Sequence, residues 1–474
     1  MKIGRRSVAR LQYAVLVTML ILPSSQFLAM TWIDNSQYKS NDMKPSRDDS
    51  ILMKSNDTKQ IRDIHSLFPN IIALEEASFP KWMKDYFVWH NQTLQALLKS
   101  HEQNQKQTQT PPKQPQPQPR LLIARCLQKD QCGGLADRLR MLPYYLALAA
   151  KTKRLFFFYW TRPFSLADFL QPASAVNWTL PDFLEESIFS SRRDNKKRLY
   201  YSIDKLERDI LRQNATAPWL VQVAVQSHKY ESAFHSLAQT LGSPSDMELF
   251  HHRAYHDLFW YLFQPVPPLR NLLEYTLTSL DLTPNRFIMA HYRANYPGEA
   301  FRKSGGNSKV LQQTTYNAIH CALVAKNKNH NASSFTSTTN NNNNNHHPVV
   351  PVYFASDRID ALYVARNYSR TDKNTTVTAT TTTDARVLSH LDIPRGHAEI
   401  VGLPKDTHNP PHWNFAKNPH PSTLYPVVLD LLVFSLSSCA SYGSGGYGQF
   451  GSMYSYNASC RLLHTYRRQV KKCD

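Results

Sequence analysis

The stretch LLIARCLQKDQCGGLADRLRMLPYYLALAAKTKRLFFFYW, residues 121–160, decides the fold of the chain. A short apolar run, Leu121 to Ala124, predicts a first strand, and a second run, Leu155 to Trp160, predicts the next one. Between them, apolar residues recur at spacings of three and four, which predicts a helix with a buried stripe; they are Leu135, Leu139, Leu142, Leu146 and Ala149. Pro143 should kink that helix. Strand, helix and strand in this order are typical of an α/β fold with a parallel sheet.

A second unit of the same kind begins near residue 284. Leu269 to Leu280 has a helical pattern, and Pro284 and Asn285 interrupt the chain before the apolar run Arg286 to Ala290, which predicts a strand. Further predicted elements are the strands Val349 to Ala355 and Glu399 to Leu403 and the helix Leu424 to Ser437. We therefore expect two domains, at 120–283 and 284–474. Low-complexity insertions are expected at 326–347, an Asn/His tract, and at 367–385, a Thr-rich tract.

The N-terminal part has the pattern of an exported protein. Four basic residues within 1–10 precede an uncharged apolar stretch at 11–30. This pattern fits either an uncleaved signal anchor or a cleaved signal peptide, and the absence of a sharp A-x-A site favours the anchor. Residues 31–119, which end in a Gln/Pro-rich linker, then form a stem. In either case the rest of the chain would face the lumen of the secretory pathway.

Sequons and cysteines agree with export. Asn-x-Ser/Thr sites, some of which will arise by chance, occur at Asn56, Asn91, Asn177, Asn214, Asn331, Asn367, Asn374 and Asn457. The six cysteines lack the clustered C-x-x-C pairs of a zinc site, so we expect disulfides. Only one pairing, Cys126 with Cys132, is specifically predicted.

The chain carries a formal net charge of +19 over its 474 residues, which favours anionic partners such as nucleotides, acidic glycans or membrane surfaces. Charge alone does not separate these partners. No run of basic residues with interleaved aromatics stands out, so nucleic acid is not expected as a partner.

Four local motifs could carry chemistry, and each has a simpler structural explanation. Gly133 and Gly134 follow the first predicted strand, where glycines let the backbone approach a ligand, or merely make a tight turn. His291 and Arg293 follow a strand of the second unit, and Glu299 comes soon after. Arg293 could hold a diphosphate or form a surface ion pair.

The other two motifs also follow predicted strands. Asp357, after Ser356, could accept hydrogen bonds from guanine or cap the next helix. The glycine-rich run from Ser441 to Gly448 could bind phosphate through its amides, or be a flexible loop. Its candidate ligand residues are Ser444, Gly445, Gly446 and Tyr447.

Together the four motifs resemble, in identity and order, a superfamily of fucosyltransferases, including core α1,6-, nodulation, protein O- and plant cell-wall enzymes. Gly133 to Leu139 is similar to its G-G-L-G/A-D/N-R-L/M turn, and Trp160 to Trp178 resembles its W-x-x-P-x-x-L-x-x-x-L-x-P-x-x-x-x-W run. The resemblance covers residues 120–474 and implies a GT-B-like pair of Rossmann-like domains behind the anchor and stem.

The resemblance also implies roles for individual residues. His291 and Arg293 match the H-x-R motif that binds the donor phosphates, and Asp357 matches the acid that meets guanine. Glu299 matches a carboxylate that would serve as general base or as support. The chain departs from the core-enzyme pattern H-x-R-R-T-D at Ala294, Asn295 and Tyr296, so the second Arg and the Asp are absent, and Arg358 replaces a second Asp of the S/T-D-D motif.

The implied activity is an inverting, metal-independent transfer of fucose from GDP-fucose to a hydroxyl of a glycan or glycoprotein, with no cofactor. No D-x-D metal motif is evident. The implied location is the Golgi or endoplasmic reticulum membrane, single-pass type II. Three rival functions stay open: a same-fold enzyme that uses another nucleotide sugar, a non-catalytic glycan-binding member, and a different lumenal class such as a sulfotransferase. The expected strand-loop-helix of a sulfotransferase, with a basic Ser/Thr-rich loop, is not seen after the first strand.

Overall fold

The computed structural model describes most of the chain from residue 77 onward. The described residues are 77–106, 119–128, 130, 132–173, 176–190, 197–211, 220–223, 230–242, 254–296, 299–333, 349–371, 385–392, 420–466 and 469–473. Across these ranges, no helix has both the length and the apolar character that a membrane span requires. The predicted tail, anchor and most of the stem lie outside the described residues. The predicted strand Glu399 to Leu403 lies outside them too.

In the described part of the chain, the first sheet is parallel, has four strands and is built from residues before 284. Its strand order is β2-β1-β5-β4. These strands are β1 (Arg120–Cys126), β2 (Arg154–Trp160), β4 (Lys197–Tyr200) and β5 (Leu220–Val223). Alternate residues of β1 and β2 lie in two different apolar clusters, so the sheet is covered on both faces. This explains why both strands read as continuous apolar runs in the sequence.

The predicted long helix after β1 is two helices, α2 (Leu135–Leu139) and α3 (Leu142–Thr152). The break falls before Pro143, which lies in the first turn of α3. A proline is tolerated there because the first amides of a helix have no partner within it. The predicted kink is therefore wrong, and Pro143 instead begins a new helix. The predicted disulfide Cys126–Cys132 is confirmed, and it closes the loop between β1 and α2.

The second sheet is also parallel and, among the residues that the structure describes, has five strands, all from residues after 284. Its order is β11-β10-β7-β8-β9. These strands are β7 (Ile288–Tyr292), β8 (Val350–Ser356), β9 (Ala385–Leu388), β10 (Cys439–Tyr442) and β11 (Arg461–Leu463). Strand β7 begins and ends two residues later than predicted, because its pairing with β8 and β10 continues through His291. His291 therefore lies inside the strand and not after it.

The remaining elements connect or cover the two sheets. Two short antiparallel pairs are formed by β3 (Leu170–Pro172) with β6 (Phe263–Pro265), and by β12 (Thr465–Tyr466) with β13 (Gln469–Val470). The other helices are α1 (Lys81–Lys106), α4 (Asp182–Ser190), α5 (Ile203–Ile210), α6 (Tyr230–Gln239), α7 (Tyr255–Leu262), α8 (Pro267–Ser279), α9 (Ala300–Lys303), α10 (Ser308–Ser333), α11 (Ile359–Thr371), α12 (Tyr425–Ser435) and α13 (Gly446–Tyr454). The described residues thus form a mixed α/β fold with two parallel sheets.

Helix α1, which the sequence placed in the stem, packs against the first sheet. Its residues Met83, Tyr86, Phe87 and Leu94 are almost fully buried. The Tyr86 hydroxyl donates to the backbone oxygen of Arg154 at 2.9 Å. At least this part of the predicted stem therefore belongs to the packed domain.

Two disulfides fasten the second unit. Cys439 at the start of β10 pairs with Cys460, and Cys321 in α10 pairs with Cys473. Helix α10 continues to Ser333, through the start of the predicted Asn/His insertion, and α11 continues to Thr371, into the predicted Thr-rich one. The rest of both insertions lies outside the described residues.

Candidate functional site

The predicted motifs of the second unit meet at one edge of its sheet. Strands β7, β8 and β10 are parallel neighbours, so their carboxyl ends lie side by side. Arg293 comes directly after β7, Asp357 after β8, and Gly443 after β10. In an open α/β sheet this edge is where ligands bind. The turn Gly133 to Arg140, which follows β1 of the first sheet and which we call the first-domain turn, meets this edge, and we call the place where they meet the crevice.

Arg293 points toward the last helix and is 21% exposed. A Cβ atom built on Gly445 would lie 3.0 Å from its Nη1 atom. On its other side, Nε lies 3.9 Å from Oδ2 of Asp357, and the guanidinium lies 5.0 Å from the ring centroid of Tyr296. The guanidinium thus lies between the carboxylate of Asp357 and the turn Ser441 to Gly448, which we call the late glycine turn or late turn. Its charge is partly open to solvent.

Asp357 is tied to the loop that follows β7. Its Oδ1 accepts a hydrogen bond from the backbone amide of Asn295 at 3.1 Å, and its backbone oxygen accepts one from Nδ2 of Asn295 at 2.8 Å. Burial raises the pKa of Asp357, while the Asn295 amide and Arg293 act in the opposite direction. Ser356 is buried, and its hydroxyl donates to the backbone oxygen of Tyr292 at 2.7 Å. These two residues therefore fix the strand ends relative to each other.

Glu299 lies beneath the glycine turn and has no exposed surface. Its Oε1 accepts hydrogen bonds from the amide of Ser444 at 2.8 Å and from the hydroxyl of Thr465 at 3.0 Å. Burial raises its pKa, and the bonds from Ser444 and Thr465 oppose that rise. Of the two roles considered for Glu299, this placement favours support of the turn over proton transfer to a substrate.

His291 is also a buried supporting residue. Its ring centroid lies 5.1 Å from that of Tyr447, and a Cβ atom built on Gly448 would lie 2.6 Å from its Nδ1. His464 Nε2 donates to the backbone oxygen of His291 at 2.9 Å. Burial lowers the pKa of His291 to about 3 and that of His464 to about 4, so both rings are neutral at physiological pH. The imidazole of His291 supports α13 and does not face the crevice.

The late glycine turn leads directly into α13. Gly445 has φ of 102°, a conformation that side chains rarely adopt. The turn brings Gly446 to the start of α13, where backbone amides have no partners within the helix. A helix start of this kind, beside the guanidinium of Arg293, is suited to bind an anion.

The first-domain turn reaches across to the same place. Gly133 has φ of 72°, and Oδ2 of Asp137 accepts a hydrogen bond from the amide of Gly134 at 3.1 Å. Oδ1 of Asp137 lies 3.4 Å from Nη2 of the buried Arg140, and 2.8 Å from where a Cβ atom on Gly446 would be. The two glycine motifs, more than 300 residues apart in sequence, therefore meet at the crevice.

Sequence reasoning did not find every residue of this arrangement. Asp137 and Arg140 were inside a recognised motif, but nothing indicated that they would touch the late turn. His464 and Thr465 carry no local motif at all. Only their position after a strand at the sheet edge, β11, could have indicated them.

Comparison with known proteins adds a fold likeness and no family. No protein-family model matches the chain, and a search of curated proteins finds no match. Among solved structures, a mutant of Arabidopsis thaliana FUT1 in complex with GDP is 12% identical, with a TM-score of 0.47 over 82% of this chain and 80% of that one. NodZ α-1,6-fucosyltransferase soaked with GDP-fucose is 13% identical, with a TM-score of 0.33 over 71% and 93%.

A further structure of NodZ from Bradyrhizobium is 13% identical, with a TM-score of 0.33 over 72% of this chain and 94% of that one. At such identities and TM-scores these likenesses carry no argument about what the present chain does. The functional proposal therefore depends on the contacts of its own residues.

Proposed function

We propose that this protein is a fucosyltransferase that moves fucose from GDP-fucose to a hydroxyl group of a glycan or glycoprotein. The proposal includes inversion at the anomeric carbon and independence from metal ions and cofactors. It also includes a place in the Golgi or endoplasmic reticulum membrane, with the N-terminal segment as anchor and the described domains in the lumen. The motif resemblance supplies the choice of GDP-fucose.

One observation carries the proposal: the guanidinium of Arg293 lies beside the glycine turn that begins α13, with Asp357 on its other side. A guanidinium and a set of free helix-start amides are complementary to a diphosphate. A carboxylate next to them can accept hydrogen bonds from the N1 and N2 edge of guanine. The three groups come from separate segments, and their meeting at one sheet edge supports a site for a nucleoside diphosphate, with positive groups for the phosphates and a carboxylate for the base.

In the proposed reaction the acceptor hydroxyl oxygen bonds to the anomeric carbon while the bond from that carbon to the β-phosphate oxygen breaks on the opposite face, and the hydroxyl proton passes to solvent. Negative charge grows on the departing diphosphate, and Arg293 with the amides of Gly446 and Tyr447 would stabilise it. Glu299 would hold Ser444 so that the turn keeps its shape when the diphosphate binds. Ser356 and His291 would fix the strand ends that carry the binding groups.

The test is a binding and transfer assay with the purified full chain. Saturation-transfer NMR with GDP-fucose, GDP-mannose, UDP-glucose and GDP alone would identify the base and the sugar that bind. Transfer is then measured with radiolabelled donor on an array of glycans and glycopeptides. Binding of GDP and GDP-fucose, but not UDP-glucose, with transfer to at least one acceptor is the expected result. Preference for another donor would leave the fold assignment intact and overturn the choice of fucose.

A non-catalytic glycan-binding role has one observation in its favour. The residues after Arg293 are Ala294, Asn295 and Tyr296, so the second Arg and the Asp of the core-enzyme pattern H-x-R-R-T-D are absent. Asn295 forms two hydrogen bonds with Asp357. Asp357 would have to leave the Asn295 amide, or share its carboxylate, to bind guanine. Donor binding without any transfer or hydrolysis on the full array would favour this role.

A further inference from the structure

The first domain contains a cavity that the proposed donor site does not use. It has a volume of about 160 Å³ and lies at the carboxyl end of the edge strand β2. Its walls include Trp160, Leu166 and Trp178. These residues belong to the Trp160-to-Trp178 run that the sequence analysis singled out. Residues of that run therefore form part of the wall of a cavity.

The polar side chains that line the cavity are few, and they carry hydroxyl groups or a carboxylate. The Tyr159 hydroxyl donates to Oε1 of Glu185 at 2.6 Å, and both residues line the cavity and are half-buried. Glu185 keeps further acceptor capacity, because an ionised carboxylate has about four lone-pair sites. Among the described side chains that line the cavity, none is cationic. The lining is therefore unsuited to a phosphate or a carboxylate.

An apolar wall with a carboxylate and hydroxyl groups at one side is suited to a neutral polyol. The C–H face of a sugar ring can pack on the wall, and its hydroxyls can donate to Glu185. A GDP-sugar as a whole does not match such a lining, since its diphosphate needs positive partners. The chemistry therefore points to a single neutral sugar residue.

Helix α2 lies next to both the cavity wall and the late glycine turn. The guanidinium of Arg138 lies 5.1 Å from the ring centroid of Trp160, in the cavity wall. The preceding residue, Asp137, reaches the start of α13 on the other side. One helix thus contacts both the wall of the cavity and the start of α13.

We propose that this cavity binds a neutral sugar residue of the acceptor glycan, with Glu185 and Tyr159 as its hydrogen-bonding groups. The acceptor part of this inference depends on the proposed function, whereas sugar binding itself does not. A bound sugar here would fix the position of a longer glycan chain relative to the donor site.

The test uses the full chain and a panel of neutral methyl glycosides: a hexose, a pentose, a 6-deoxyhexose and an N-acetylhexosamine. Saturation-transfer NMR measures their binding with GDP present. Ala167 is exposed and lines the cavity, so Ala167→Trp would fill the space without changing the core. We expect this variant to lose glycoside binding. Glu185→Gln should weaken binding about tenfold through loss of a charged acceptor. The neighbouring exposed Glu186 provides the matched control, since Glu186→Gln should bind as the wild type does.

Failure to bind any glycoside of the panel, or equal binding by Ala167→Trp and the wild type, would overturn the inference. Thermal unfolding and GDP binding of each variant show whether its fold and crevice are intact. Asn177 is exposed and lies in a sequon next to Thr179 of the lining. Binding that appears only in Asn177→Gln would mean that the chain's own N-glycan fills the cavity, and would overturn the acceptor assignment. Absence of GDP binding by the wild type would instead overturn the proposed function. The glycoside measurements would then still confirm or overturn sugar binding by the cavity.

Discussion

The two glycine motifs differ in the reason for their glycines. In the first-domain turn, a Cβ atom built on Gly134 meets nothing closer than 3.7 Å, and the loop is closed by the Cys126–Cys132 disulfide. In the late turn, Cβ atoms on Gly443, Gly446 and Gly448 would lie 2.7, 2.8 and 2.6 Å from neighbouring side chains. The first turn therefore uses glycine mainly for a backbone shape, at Gly133, and the second uses it so that other groups can come close. Two adjacent glycine pairs, Gly133–Gly134 and Gly445–Gly446, can thus be required for different structural reasons.

The largest effect is expected at the group beside the late turn. Arg293→Ala should lower transfer by about 10²–10³-fold, because it removes one group that stabilises charge on the departing diphosphate. Transfer from GDP-fucose, at saturating donor, measures the effect. Arg286→Ala provides a control, because Arg286 is exposed at the start of the same segment, before β7. An equal loss of transfer in both variants, or no loss in either, would show that the placement of Arg293 beside the late turn does not determine the transfer rate.

Glu299 tests whether the late turn needs its buried support. Glu299→Ala should weaken GDP binding by roughly 10–100-fold, because the Ser444 amide and Thr465 hydroxyl lose their partner. Glu299→Gln retains an acceptor oxygen and should restore most of that binding. Isothermal titration of GDP into the three proteins distinguishes them. If Glu299→Gln bound GDP normally yet transferred no sugar, Glu299 would be the general base and its supporting role would be secondary.

Low pH should destabilise the part of the fold that carries the late turn, because the buried His464 packs against Gly443 there. The pKa of His464 lies at about 4 in the folded chain against an ordinary 6.5, because burial disfavours its charged form. Below pH 6.5 the unfolded chain binds a proton that the folded chain does not, so stability is retained above that pH and falls as the pH drops toward 4. His464 should contribute roughly 2–3 kcal/mol of this loss at pH 4.5. Urea unfolding at pH 7 and 4.5 should show a smaller loss in His464→Gln. An identical pH dependence would contradict the assignment.

The smallest effects come from the glycines themselves, where the two turns can be compared with one substitution. Gly446→Ala should cost on the order of 1–3 kcal/mol, in stability or in GDP binding, because its Cβ would press on Asp137. Gly134→Ala should change both by less than about 0.5 kcal/mol, because φ of −75° is open to alanine and there is room for a methyl group. A Gly134→Ala variant as damaged as Gly446→Ala would remove the distinction drawn between the turns.

Sequence patterns could predict the parts of this fold that depend on neighbouring residues. The strands around Leu121 to Ala124 and Leu155 to Trp160 were found because strands buried on both faces read as apolar runs. The ends of β7 were missed because pairing with β8 and β10, not composition, sets where that strand stops. The start of a new helix at Pro143 was missed because a proline in a helix pattern can either kink a helix or begin one.

The candidate site shows the same division. Arg293 and Asp357 were each predicted to follow a strand, and because these strands are parallel neighbours, Nε of Arg293 lies 3.9 Å from Oδ2 of Asp357. The contact of Asp137 with the late turn brings a helix that follows the first sheet against a turn that follows β10 of the second sheet. The hydrogen bond of Thr465 to Glu299 joins positions 166 residues apart. No local pattern encodes either contact, since each depends on how complete domains pack.

The Cys321–Cys473 disulfide has a practical consequence for handling the protein. It holds the segment after β13 against α10, and Asn317 of α10 adds hydrogen bonds to the backbone oxygens of His464 and Lys471. Thr465, which supports Glu299, lies within that fastened segment. Reductant in a storage buffer would therefore loosen the segment that supports Glu299, and samples kept in dithiothreitol are expected to lose GDP affinity.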